Sequence, residues 1–200
     1  MAESQRGRLL AAIADAAAEK GYAQVAVADV IERAGVSRRA FYEQFPNKEA
    51  CFLAAYDAGV DLLLDAVAEA IETSGPDWPQ RVRAATACYL AMLEATPSFA
   101  RTFLVEILAA GPQALERMAA VHERFADHLR AVHAAARREI PELPALPEHA
   151  YRAAVGAMNE LVNDHLLRCG SAGLTTLTEA LVDVQMRLLV GHELAQRLGA

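Results

Sequence analysis

The chain has 200 residues, slightly more than half of them hydrophobic, with 19 lysines and arginines against 26 aspartates and glutamates, for a formal net charge of −7. Such a composition buries a real core and excludes a disordered tail, and every apolar stretch is broken by charge well short of the ~20 residues that a membrane span needs. Cys51, Cys88 and Cys169 lie far apart without a CxxC pair, which excludes a disulfide framework and leads us to expect a reduced, cytoplasmic protein.

Apolar residues recur at helical spacing almost throughout, and alternating Val/Ile/Thr runs bounded by hairpin turns are missing. The expectation is an all-α fold of about nine helices, punctuated by Gly21-Tyr22, Gly35, Pro46-Asn47, SGPDWP, TPS, Gly111-Pro112, PELPALP and GSAG. The opening RGRLLAAIADAAAEKG resembles a signal peptide in its basic start, but Asp15 interrupts the apolar run and the helical period continues past it. A first helix is expected over about residues 6 to 20. Arg6 and Arg8 are read as preceding it, where a basic arm reaches phosphate or the minor groove, or else as a solvated terminus.

Residues 27 to 34 and 38 to 45 form the next two predicted helices, separated by Gly35-Val36-Ser37. Gly35 stands where the chain must leave the first helix through a left-handed conformation, and Ser37 where the second needs an N-cap. Phe41 and Phe45, four apart, share a face and are expected to bury against Val30, Ile31, Ala34 and Val36. Arg38, Arg39, Tyr42 and Glu43 then point outward, with Ser37 and Gln44 at the two ends of the same helix. Two arginines and a tyrosine on an exposed helix suit a DNA major groove, because guanidinium binds guanine O6 and N7 and a phenol reaches phosphate. Any α-helical hairpin with a glycine turn has a similar spacing, so geometry alone leaves a non-DNA reading open. Glu43 has two readings, an acceptor for cytosine N4 or a solvated partner of Arg39 one turn back; the solvated one is favoured. Charge is distributed unevenly, with seven basic and seven acidic residues in 1 to 50, so the whole −7 falls on residues 51 to 200.

Pro46-Asn47-Lys48-Glu49 gives a stop, an Asn N-cap and an acidic first turn, starting a long helix to about residue 72. Residues 80 to 137 and the helix after them supply candidate wall residues for a small apolar ligand: Tyr89, Met92, Phe99, Phe103, Met118, His122, Phe125 and Met158. Plain core packing is the competing reading for each. His122, His128 and His133 lack the i, i+4 spacing of a helical zinc pair, so no metal is expected. No cofactor is expected either, and GxSxG, HExxH and phosphate-loop patterns are missing, so the chain is not read as an enzyme. Leu174, Leu177, Leu181, Val184 and Leu188 make an apolar seam, continued by Gly191, Ala195 and Leu198. With Tyr151, Val155, Met158 and Val162 on the preceding helix, it is expected to form a four-helix dimer interface; the alternative is that both stripes face the protomer's own core.

The stretch GYAQVAVADVIERAGVSRRAFYEQFPNKEACFLAAYD, residues 21 to 57, resembles the TetR family of bacterial transcriptional regulators. The resemblance is carried by Gly21-Tyr22, Ala34-Gly35-Val36-Ser37, Phe41-Tyr42, Phe45 and Lys48-Glu49. It implies a helix-turn-helix DNA-binding domain over 1 to 48 and a ligand-binding and dimerisation domain over 49 to 200. Its implied partners are a palindromic double-stranded DNA operator, a second copy of the chain and a small hydrophobic effector, with repression expected rather than activation. Position by position, it implies phosphate contacts from Tyr42 and Lys48 and base-edge positions for Arg38 and Arg39. Ala40 and Arg39 replace a frequent threonine and glycine. Val25 and Ala26 replace a frequent pair of hydroxyl residues, leaving Asp29 to complement the helix dipole. The rival reading is a helical carrier or sensor that reads no DNA sequence.

Overall fold

The structure, a computed structural model, describes residues 4–75 and 77–190. Among these, regular structure is entirely helical, comprising α1 (Gln5–Lys20), α2 (Val27–Ala34), α3 (Arg38–Gln44), α4 (Lys48–Thr73), α5 (Trp78–Ala95), α6 (Pro97–Leu104), α7 (Pro112–Glu139), α8 (Glu148–Cys169) and α9 (Thr178–Val190). Short 3-10 turns lie at Tyr22–Gln24, Glu106–Ala109 and Leu174–Leu177. The chain forms two compact units, Met1–Leu62 with Thr96–Met118, and Leu63–Ala95 with Ala119–Ala200.

In the first unit, α1 buries Leu9, Ala12, Ile13, Ala16 and Ala17, the i, i+3, i+4, i+7, i+8 stripe of an amphipathic helix, and packs on α2 and α6. Its N-cap is Ser4, whose Oγ accepts the Gly7 N–H at 3.0 Å. The helix therefore begins before Arg6 and Arg8, contrary to the expectation that they precede it. Both belong to its first turns, and both are held. Arg8 Nε donates to the Ala34 carbonyl at 3.1 Å, and the Arg6 guanidinium lies 4.6 Å from the Phe45 ring centroid. The cause is tertiary: a carbonyl at the end of α2 and an aromatic face lie within reach of side chains that the sequence alone leaves in solvent.

Further along the unit, Gly59 on α4 gives Phe99 room to approach, since a Cβ there would fall 2.1 Å from the Phe99 ring. Phe99 stacks on Phe103 (5.4 Å between centroids), and Phe103 on Tyr56 (5.5 Å). Thr102 Oγ1 donates to the Ala14 carbonyl at 3.3 Å, tying α6 to α1.

In the second unit, α9 packs on α5 and α8 around a core that includes Trp78, Val82, Tyr151, Val155, Val182, Met186 and Leu189. A buried Gln185 Nε2 donates to Thr86 Oγ1 at 2.8 Å, so the one amide in this stripe is satisfied internally. The predicted seam is not one continuous helix. Leu174 and Leu177 belong to a 3-10 turn, and α9 starts at Thr178. Gly173, at φ 78°, redirects the chain, while the Glu94 carboxylate accepts the N–H groups of Gly173 (3.1 Å) and Thr175 (2.9 Å), holding the backbone out of α-helical register. Gly191, Ala195 and Leu198 lie outside the described residues.

Candidate functional site

The turn between α2 and α3 has the geometry that its sequence implies. Gly35 sits at φ 62°, ψ 41°; its N–H donates to the Glu32 carbonyl and the Val36 N–H to the Ile31 carbonyl, both at 3.2 Å. These are the paired bonds of a Schellman ending, and they need a residue without a Cβ at the left-handed position. Ser37 Oγ then accepts the Ala40 N–H at 3.1 Å and starts α3. Phe41 and Phe45 are buried and pack against each other with centroids 6.1 Å apart, as are Val30 and Ala34 beneath them.

Anchoring those two phenylalanines leaves Ser37, Arg38, Arg39, Tyr42, Glu43 and Gln44 exposed. The outer face is organised as two pairs four residues apart. Arg38 lies 5.6 Å from the Tyr42 ring centroid, and Arg39 Nε donates to Glu43 Oε1 at 2.8 Å. Glu43 thus takes up the solvated Arg39 pairing.

The α2 N-terminus lacks a hydroxyl cap because Ala26 has no side-chain acceptor. Asp29 compensates, with Oδ2 accepting the Ala26 N–H at 2.7 Å and meeting Lys20 Nζ at 2.6 Å. These contacts hold the Asp29 carboxyl below its usual pKa, the Lys20 ammonium first and the Ala26 N–H second.

Lys48, matched to a phosphate contact, lies instead over the Tyr22 ring (4.5 Å). It donates to the carbonyls of Tyr22 (3.0 Å), Ala23 (3.4 Å) and Val25 (2.8 Å). Its three N–H groups thereby shape the backbone that leads into α2. The same turn is held from its other side by Glu106, a buried carboxylate that accepts the Tyr22 N–H at 2.8 Å and Arg101 Nε at 3.1 Å. Glu106 was not singled out from the sequence, and an isolated acidic residue between Val105 and Ile107 was the available signal.

Phe99, Phe103 and Met118 belong to the first unit; Tyr89, Met92, His122, Phe125 and Met158 belong to the second. Tyr89 packs edge-on to Phe125 with centroids 6.1 Å apart, and its phenol is pushed far up by burial. Desolvation lowers the His122 pKa. Among the described residues, no three His, Cys, Asp or Glu side chains stand together as metal ligands. No described helix is long and apolar enough to cross a membrane.

Four members of the predicted dimer seam need correction. Tyr151, Val155, Val162 and Leu181 are buried within the protomer, so their side chains cannot meet a partner. Met158, Leu177 and Val184 are half-buried, and Leu188 is exposed. A stripe of apolar residues at helical spacing shows that a face is covered but not by what, and here the protomer's own α5, α8 and α9 cover it. The large apolar residues left exposed on α8 and α9 are Leu161, Leu167 and Leu188.

A glycine-turned helix pair with a capped, arginine-bearing second helix, set in an all-α chain, defines a helix-turn-helix protein. Residues 9–55 match the family model of bacterial regulatory proteins of the tetR family. A curated relative, the HTH-type transcriptional activator FasR of Mycolicibacterium smegmatis (strain ATCC 700084 / mc(2)155), is 33% identical over 92 residues. That alignment spans 46% of this chain and 42% of FasR, less than half the relative's length. Among solved structures, the fatty acid degradation regulator FadR of Bacillus halodurans superposes with a TM-score of 0.81 at 19% identity, covering 94% of this chain and 95% of that one. FadR of Bacillus subtilis in complex with stearoyl-CoA also gives 0.81, at 16% identity, covering 92% and 98%. At these identities the likeness is one of fold.

Proposed function

We propose that the chain is a ligand-responsive transcriptional repressor that binds a palindromic operator as a homodimer and is released by a small hydrophobic effector. The observation that carries this reading is the exposed face of α3, where Arg38–Tyr42 and Arg39–Glu43 are pre-ordered on a helix that Phe41 and Phe45 anchor from behind. Glu43 engages Arg39 through Nε, which leaves the two terminal amino groups for the O6 and N7 of a guanine. Tyr42 and Ser37 supply phosphate contacts, Gln44 lies at the far end of the same helix, and Arg38 reads a second base edge. Arg6 and Arg8, docked on Phe45 and Ala34, contribute positive charge beside the groove; Lys48 acts chiefly by holding the backbone before α2.

A two-fold dimer would place two such helices on one face of a duplex, hence a palindrome with half-sites one or more helical turns apart. Leu161, Leu167 and Leu188 offer the apolar surface for that dimer. A fold shared with a stearoyl-CoA complex supports an effector with a long apolar part. Such a ligand acts only through its different affinities for the DNA-competent and DNA-incompetent states.

The test is selection of bound sequences from a random duplex library by the purified chain at near-physiological salt, with Arg39→Ala in parallel. An enriched palindrome that changes in the variant is the expected result. No enrichment at any salt would leave a helical carrier or sensor in its place. The sign of regulation is read from a reporter behind the selected site, where rising expression with the protein present would mean an activator, as FasR is named.

A further inference from the structure

Besides Asn163 Oδ1, three polar atoms of the second unit are buried and meet no hydrogen-bonding partner among the described residues: Trp78 Nε1, Arg130 Nε and His133 Nε2. They belong to one cluster spanning α5, α7 and α8. The Trp78 and His133 rings lie 6.1 Å apart, His133 Nδ1 meets the Tyr151 hydroxyl at 3.0 Å, and the Arg130 guanidinium lies 5.6 Å from the Tyr151 ring centroid. Trp78 is 2% exposed and His133 1%. His133 also occupies a position on α7 where the apolar stripe of Phe125, Leu129, Val132 and Ala136 calls for a hydrophobic residue.

The chemistry of these atoms is one-sided. Indole Nε1 and guanidinium Nε are always donors. The Tyr151 hydroxyl has a single hydrogen, and in the tautomer where it donates to Nδ1, His133 carries its proton on Nε2 and offers a third N–H. Each buried donor left unpaired costs about 1–3 kcal/mol, so unpaired donors within one cluster call for an acceptor. Arg137 acts electrostatically on His133, and its Nε is held by the Leu143 carbonyl at 3.2 Å. Arg130 pairs its terminal amino groups with Asp127, Glu123 and Glu148 on the outer side, which directs Nε inward. Covering this cluster is the non-helical connection 140–147, with Leu143 buried and Ile140 and Leu146 packed on the same core, so access needs no helix to unwind.

We propose that Trp78, His133 and Arg130 form a binding site for the carboxylate of an amphipathic acid, whose apolar part packs beside Phe125, Leu129 and Val132. As the effector's site it rests on the regulator reading above; as a binding site it stands by itself.

Trp78 is the chain's one tryptophan, so its indole gives a single ¹H–¹⁵N resonance in the labelled full-length protein. The experiment titrates sodium decanoate, below its micellar concentration, against 1-decanol. Decanoate is expected to move the indole proton downfield and decanol to leave it in place. Trp78→Phe, which keeps the ring and loses the donor, is expected to weaken decanoate binding about tenfold or more, the equivalent of one hydrogen bond to a charged group. An indole resonance unmoved by decanoate, an equal shift with decanol, or native affinity in Trp78→Phe would overturn the proposal. So would an indole–water cross-peak that persists at saturating decanoate, meaning an ordered water only. Should Trp78→Phe fail to fold, the titration of the unaltered protein decides. Operator affinity is measured alongside. A shifted indole with unchanged operator binding supports the site and removes its effector role; a shifted indole in a chain that selects no operator supports the site and removes the regulator.

Discussion

Arg39 and Lys48 are both cations near the proposed DNA face, yet their surroundings assign them different work. Arg39 is solvent-exposed and paired, among the described residues, to Glu43, so Arg39→Ala should leave stability nearly unchanged and relax preference at one base pair by about 1–3 kcal/mol, measured by competition binding with single-base operator variants. Lys48 donates to three carbonyls, so Lys48→Ala should lower stability by about 1–2 kcal/mol and weaken all duplexes together, read from urea midpoints and affinities on matched and random DNA. Native stability in Lys48→Ala would return that residue to a simple phosphate contact. Asp29 adds a pH dependence. Its carboxyl is depressed in the folded state, so its contribution is complete above the unfolded pKa of about 4 and is lost as pH falls through the folded value. Thermal melts between pH 6 and 2 should show a shallower acid loss for Asp29→Asn than for the native chain.

At the scale of elements, helix ends were the most legible features because caps are local chemistry. Gly35, Ser37 and Asn47 each act where the sequence places them, Asn47 Oδ1 accepting the Ala50 N–H at 2.8 Å. The break at Leu174–Leu177 was hidden, because the Glu94 carboxylate that enforces it comes from a helix about eighty residues away. Close approach of elements was equally hidden. Gly59 reads as a helix weakness that alanine would relieve by up to about 1 kcal/mol, but the Phe99 ring occupies the space. Gly59→Ala should therefore destabilise by about 1–3 kcal/mol, and Gly59→Ala with Phe99→Leu should recover most of it, as calorimetric melting would show. An alanine variant that melts higher would mean that the half-buried ring swings aside freely.

For the whole molecule, the consequential question is which apolar residues serve the protomer and which serve a partner. Leu181 is fully buried, so Leu181→Ala should cost about 2–4 kcal/mol of protomer stability, whereas Leu188→Glu should leave the fold intact and shift the chain toward monomer in sedimentation velocity. Dimers of undiminished stability in Leu188→Glu would move the interface away from this face. The sequence by itself determined the helical class and the helix-turn-helix with its exposed Arg38, Arg39 and Tyr42, because periodicity, capping and turn chemistry act within a few residues. Only the tertiary structure decided that Arg6 and Arg8 are docked, that Lys48 and Glu106 hold the turn at Tyr22, that Tyr151, Val155, Val162 and Leu181 face inward, and that Trp78, Arg130 and His133 bury polar atoms in one cluster. A periodic pattern reports that a side chain will be covered; which distant group covers it depends on packing between segments far apart in the chain.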